Sequence, residues 1–120
     1  MNTMAHLSAA FAARRGRELL RFDEIESADG EKIKLNIGHA IIIKSAKDSK
    51  EIKSVLGKAH TKNLDISEFT REMLDTTNDN LVAEKTAKKK FEEVEHLGVL
   101  FFGEKSEVES VTKEFPLLSK

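Results

Sequence analysis

The four histidines, His6, His39, His60 and His96, are the side chains with the widest chemical reach in this 120-residue chain. No two stand three to five positions apart, so no helix face offers a metal-binding pair. His60 and His96 fall near expected helix C-termini, where the macrodipole favours a partly charged imidazole with no catalytic role. Adjacent acids, Asp23 with Glu24 and Glu92 with Glu93, come next. A chain that is 34% charged carries such pairs on solvated faces. Lys88-Lys89-Lys90 could meet phosphate, but Glu84, Glu92, Glu93 and Glu95 nearly balance it and can pair with it along a helix. The glycines are too dispersed for a phosphate loop, and no Gly-x-Ser-x-Gly occurs. With no cysteine, disulfides and thiolate metal sites are excluded. No catalytic, cofactor-binding or metal-binding residue is therefore expected, and no enzyme activity.

The elements that would position other functional residues follow from composition and periodicity. Hydrophobic residues make up 39% of the chain, enough for a modest single core. The net charge of −1 argues against a general grip on nucleic acid or an anionic membrane. No apolar run is long enough to span a bilayer, and the chain reads as cytoplasmic. Arg14, Arg15, Arg17 and Arg21 cluster near the start and form a candidate basic contact. Residues 1–16 are expected as a basic arm or short helix that orders poorly alone. The helix would run from Thr3 to Arg15 and stop at Gly16. Residues 17–120 are expected as a single α+β domain.

In that domain Leu20 to Ile25 reads as a strand, followed by a tight turn at Asp29-Gly30. Ile33, Leu35 and Ile37 then alternate with polar residues, as in a half-buried strand. The continuous run Ala40 to Ile43 reads as a strand covered on both faces. These segments predict a small antiparallel sheet in the N-terminal half, packed with several short amphipathic helices. Ser45 opens a capping pattern before the stripe Ile52, Val55, Leu56 and Ala59. Asp65 with Glu68 repeats it before Ile66, Phe69, Met73 and Leu74. The two predicted helices invite a helix-turn-helix reading, which the acids Asp65, Glu68 and Glu72 disfavour. Leu81 to His96 is expected as a thin helix with Ala83, Ala87, Phe91 and Val94 on one face. Val99 to Phe102 reads as a returning strand or buried connection. A short helix carrying Val108, Val111 and Phe115 closes at Pro116.

Consecutive apolar residues cannot all face one side of a strand. Unless a second layer of the same chain covers Val99 to Phe102, one set needs a partner. Phe91, Val94, Val99, Leu100, Phe101 and Phe102 are therefore the candidate protein-binding residues.

One stretch carries a family resemblance. Asp29-Gly30-Glu31, then Gly38-His39-Ala40-Ile41-Ile42-Ile43-Lys44-Ser45-Ala46-Lys47-Asp48-Ser49, then an amphipathic helix from Lys50, resembles small tailed-bacteriophage and prophage proteins of the tail assembly chaperone type. Leu97 to Gly103 and Phe115-Pro116 fill the family's apolar stretch and closing aromatic-Pro pair. A Trp common in that stretch is absent. The resemblance spans Ser27 to Leu118. It implies a non-enzymatic protein of the host cytoplasm that coats the tape measure protein and helps recruit tail tube subunits. The other readings are a structural virion component, such as a connector or tail-completion protein, and a small nucleic-acid-binding or regulatory module using the Arg-rich start. No cofactor is expected, and a homo-oligomer is open.

Overall fold

The computed structural model describes residues 2–118. Its elements run α1 (Asn2–Arg15), β1 (Glu24–Glu26), β2 (Lys32–Lys34), α2 (Ser49–Ala59), β3 (Asp65–Thr70), α3 (Arg71–Asp75), α4 (Asp79–Ala87), β4 (His96–Phe102) and α5 (Lys105–Thr112), with short 3₁₀ turns at Gly16–Leu19 and Phe91–Glu93. The fold is α+β. Its strands form two separate antiparallel pairs, β1–β2 and β3–β4.

Most of the core is built on the second pair. Leu7 and Phe11, one helical turn apart on α1, are both buried, with Thr3, Met4, Ser8 and Arg15 partly covered on the same stripe. Gly16 ends the helix in the left-handed region at φ 70°, which a glycine adopts without a Cβ clash. On α2, Val55, Leu56 and Ala59 are buried. α1 and α2 both pack against β4, and α1 also reaches β3, while α5 leans on α2. The expected basic arm is thus a helix docked on the β3–β4 ribbon.

The turn at Asp29-Gly30 forms. Ser27 accepts from the Gly30 N–H at 3.0 Å, and Gly30 sits at φ 87°. The register pairs Glu24 with Lys34, Ile25 with Ile33 and Glu26 with Lys32. Both charged pairs close as cross-strand ion pairs, and they share one face. Ile25 and Ile33 share the other, each 48% exposed. The strand Lys32–Lys34 is therefore exposed on both faces, while Leu35 and Ile37 beyond its end are half-buried. Among the described residues the two strands of this hairpin pack chiefly on each other, and the molecule is long: 57 × 34 × 30 Å, with a radius of gyration of 16.8 Å. A compact chain of this length would have about 13.6 Å.

Other expectations are corrected. Residues Asp65 to Thr70 form a strand rather than a helix, because β4 supplies a pairing partner and Ile66, Phe69 and Thr70 suit a pleated surface. With that strand the helix-turn-helix reading falls. The Leu81–His96 helix is cut short: α4 ends at Ala87, and Phe91 and Val94 lie beyond it on a 3₁₀ turn and its exit. Asp48, not Ser45, caps α2 by accepting from the Glu51 N–H at 2.9 Å, while the Glu51 carboxylate accepts from the Lys47 N–H. Ala40 to Ile43 belongs to neither sheet and leads into a single antiparallel bridge between Lys44 and Leu117, and its three isoleucines are exposed.

Candidate functional site

The β3–β4 register places the predicted binding residues. Asp65 faces Phe102, Ile66 faces Phe101, Ser67 faces Leu100, Glu68 faces Val99 and Phe69 faces Gly98. Directly opposed residues share a face, so Gly98, Leu100 and Phe102 lie together. That face belongs to α1. Phe11 meets Phe102 with ring centroids 5.0 Å apart, the Arg15 guanidinium lies 4.8 Å over the same ring, and a Cβ on Gly98 would collide with Thr3. Val99 and Phe101 point the other way, toward α2. The run Val99 to Phe102 is half-buried, and helices of its own chain supply a second layer over it. Val94 is buried, whereas Phe91 is 55% exposed beside the Lys53 ammonium. The structure therefore does not gather the six candidates into one surface.

A register shift after Phe69 lets His96 pair with Thr70 and re-aims its ring. His96 is 1% exposed and its Nε2 lies 2.7 Å from Glu68 Oε1. Its backbone N–H donates to the Ser49 hydroxyl at 2.8 Å, tying β4 to the start of α2. Among the described residues the His96 Nδ1 has no hydrogen-bond partner. One shallow groove lies between α2 and the segment from α5 to Phe115, lined by Glu51, Ser54, Val55, Lys58, Glu114 and Phe115. The buried acid Glu72 pairs with Lys89 at 3.2 Å. Among the described residues no group of three or more His, Asp or Glu is placed to hold a metal ion.

The four arginines have partners inside the molecule. Arg14 donates to the Ser67 hydroxyl and lies 3.7 Å from Asp65, and Arg15 reaches Asp65 at 3.4 Å. Arg17 pairs with Asp23, and Arg21 donates to the Gly38 carbonyl at 3.1 Å. Arg71 hydrogen-bonds Glu95, which holds that carboxyl below its ordinary range and raises the guanidinium further. Hydrogen bonds likewise lower Glu114, through Lys58, and Asp29, through Ser27.

The exposed apolar residues lie elsewhere. Ile41 and Ile42 are 62% and 66% exposed, and Leu117 is 67% exposed. They adjoin: the Ile43 carbonyl accepts from the Leu118 N–H, and the Ser45 N–H donates to the Pro116 carbonyl, both at 3.0 Å. Phe22 is a further exposed aromatic on the same N-terminal half. Monomeric proteins rarely leave a contiguous apolar strip in water. The signal in the sequence was the continuous β-branched run itself, which reads as buried and is not. No described helix is long and apolar enough to cross a membrane.

A family model described as protein of unknown function (DUF2000) matches residues 1–119. A solved structure of a protein of unknown function from Agrobacterium tumefaciens is similar over 98% of this chain and 85% of that one, with a TM-score of 0.79 and 17% identity. At that identity the likeness concerns the fold alone. Comparison with curated proteins returns no match.

Proposed function

The chain belongs to the DUF2000 family, and from that premise we propose that it acts by binding another protein, without catalysis, through the strip formed by Ile41, Ile42, Ile43, Leu117 and Leu118. The observation that carries this reading is the exposure of three consecutive isoleucines on backbone outside both sheets, joined among the described residues only at its end, to Leu118. Burying two such side chains contributes roughly 3 to 6 kcal/mol. A micromolar contact needs about 8 kcal/mol, so backbone hydrogen bonds or a polar rim must supply the remainder.

The sharper form of the proposal is a tail assembly chaperone of a bacteriophage or prophage, acting in the host cytoplasm on tape measure and tail tube proteins. What supports it is the resemblance of residues 27–118 described above. The test is purification of the tagged protein from its own host, beside an Ile41→Ser/Ile42→Ser variant. A partner at fixed stoichiometry, lost in the variant while its melting temperature stays within about 2 °C, supports binding through this strip. A tape measure or tail tube protein as that partner, with the protein itself absent from finished particles, supports the chaperone form, and presence of the protein in particles at fixed copy number replaces it with a structural role. A monomer whose behaviour is identical in the variant overturns the proposal.

A further inference from the structure

The connection between β2 and α2 is anchored at both ends of β4 but joined to it nowhere between. The His39 ring meets the Phe102 ring edge-on at 5.2 Å, and ten positions later the Ser49 hydroxyl takes the His96 N–H. Residues 39–49 therefore travel beside β4 in the opposite sense. They do so on the edge away from β3. The Glu95 carbonyl accepts from Arg71 at 3.0 Å on the β3 side, so the N–H of the next residue, His96, points to the other edge. Among the described residues no backbone hydrogen bond joins residues 39–48 to β4. Fully extended, the connection could cover roughly 33 Å against roughly 20 Å for β4, which lets it bow outward.

The bowed segment has one edge in use. Ile43 and Ser45 bond to Leu118 and Pro116, and Leu117 is 67% exposed, so residues 116–118 lie on the outside. In extended backbone alternate residues aim their N–H and C=O groups at opposite edges. Ile42 and Lys44 thus present theirs to the edge opposite residues 116–118, where among the described residues they make no backbone hydrogen bond. Above and below, α1 and α2 cover the two faces of β4.

We propose that this slot receives one extended apolar strand of a partner polypeptide, inserted between residues 40–44 and β4 and hydrogen-bonded to both. The inference rests on the protein-binding reading above and specifies its mode. A helix is unsuited as occupant, since its own backbone groups are already paired. The occupant's side chains would meet Ile41 and Ile43 on one face and Ile42 on the other, beside Val99 to Phe102. Strands covered on both faces are continuous β-branched runs, and Ala40 to Ile43 is itself such a run, lacking only its neighbour. Backbone pairing to an exposed edge with alternate side chains in pockets is an established mode of peptide capture.

The test tethers a donor to the full chain. A strand of seven alternating Val and Ile residues is fused ahead of Met1 through a Gly/Ser linker, because α1 begins beside Gly98, near the entrance to the slot. A second fusion carries proline at every other donor position and cannot complete the ladder. The Val/Ile fusion should melt about 5 to 10 °C above the parent. It should slow amide exchange at Ile42 and Lys44 at least about 100-fold, while the proline fusion does neither. If both fusions match the parent in melting and in exchange, strand insertion is overturned. A parent dimer that already protects those two amides assigns the slot to a second copy and overturns the partner strand. The two readings separate cleanly. Partner loss in Ile41→Ser/Ile42→Ser with an inert tethered strand keeps protein binding and removes insertion; an inserting strand in a protein that captures nothing does the reverse.

Discussion

Replacing Phe11 by Ala asks whether α1 is part of the core or a separable arm. Phe11 is 6% exposed and its ring lies 5.0 Å from that of Phe102, with Leu7 one turn before it. Phe-to-Ala changes at such sites cost about 3 to 5 kcal/mol. The side chain sits over a two-stranded ribbon rather than deep in a large core, so some collapse is available and about 3 kcal/mol is the expected loss. A chain of this length has a total stability of roughly 6 to 18 kcal/mol, and this one belongs near the lower end because so much apolar surface stays in water. Phe11→Ala should therefore remove a third or more of it. Urea denaturation followed by circular dichroism is the assay, with the slope compared between variants to confirm a two-state transition. Phe102→Ala and the double variant complete a cycle, in which a coupling of about 0.5 to 1.5 kcal/mol reports the ring contact. A loss below about 1 kcal/mol, together with fast amide exchange from Met4 to Arg15, would refute the docking of α1 and return it to the status of an arm.

Other expectations are simpler to check. Leu56 is fully buried, so Leu56→Ala should cost about 2 to 5 kcal/mol in urea, whereas Ile42→Ser should stay within about 0.5 kcal/mol. Asp48→Ala removes the cap of α2 and should lower stability by about 1 kcal/mol, read from the shift in denaturation midpoint. Gly98→Ala places a Cβ against Thr3 and should lower the melting temperature, with Thr3→Ser restoring part of it. Glu95 is held below its ordinary value of 4.5 by Arg71, so its contribution is present above that value and fades as pH falls through the lowered one. Arg71→Met should accordingly flatten the acid side of the stability profile as pH falls below 4.5.

Local chemistry was enough for several elements. Gly16 and Gly30 sit where positive φ is needed, and the stripe Val55, Leu56 and Ala59 set which face of α2 is buried. The α+β class was likewise legible, while Val99 to Phe102 read equally as a returning strand or a buried connection. Two outcomes needed the tertiary structure. The segment Asp65 to Thr70 carries apolar spacing compatible with a helix, and only pairing with β4, distant in the chain, selects the strand. Ala40 to Ile43 reads as an interior strand by composition, yet burial depends on what lies alongside, and among the described residues no backbone hydrogen bond joins it to β4. Periodicity records which residues seek a neighbour. Whether that neighbour is present is a matter of long-range packing, and here it leaves the exposed isoleucines as the candidate site.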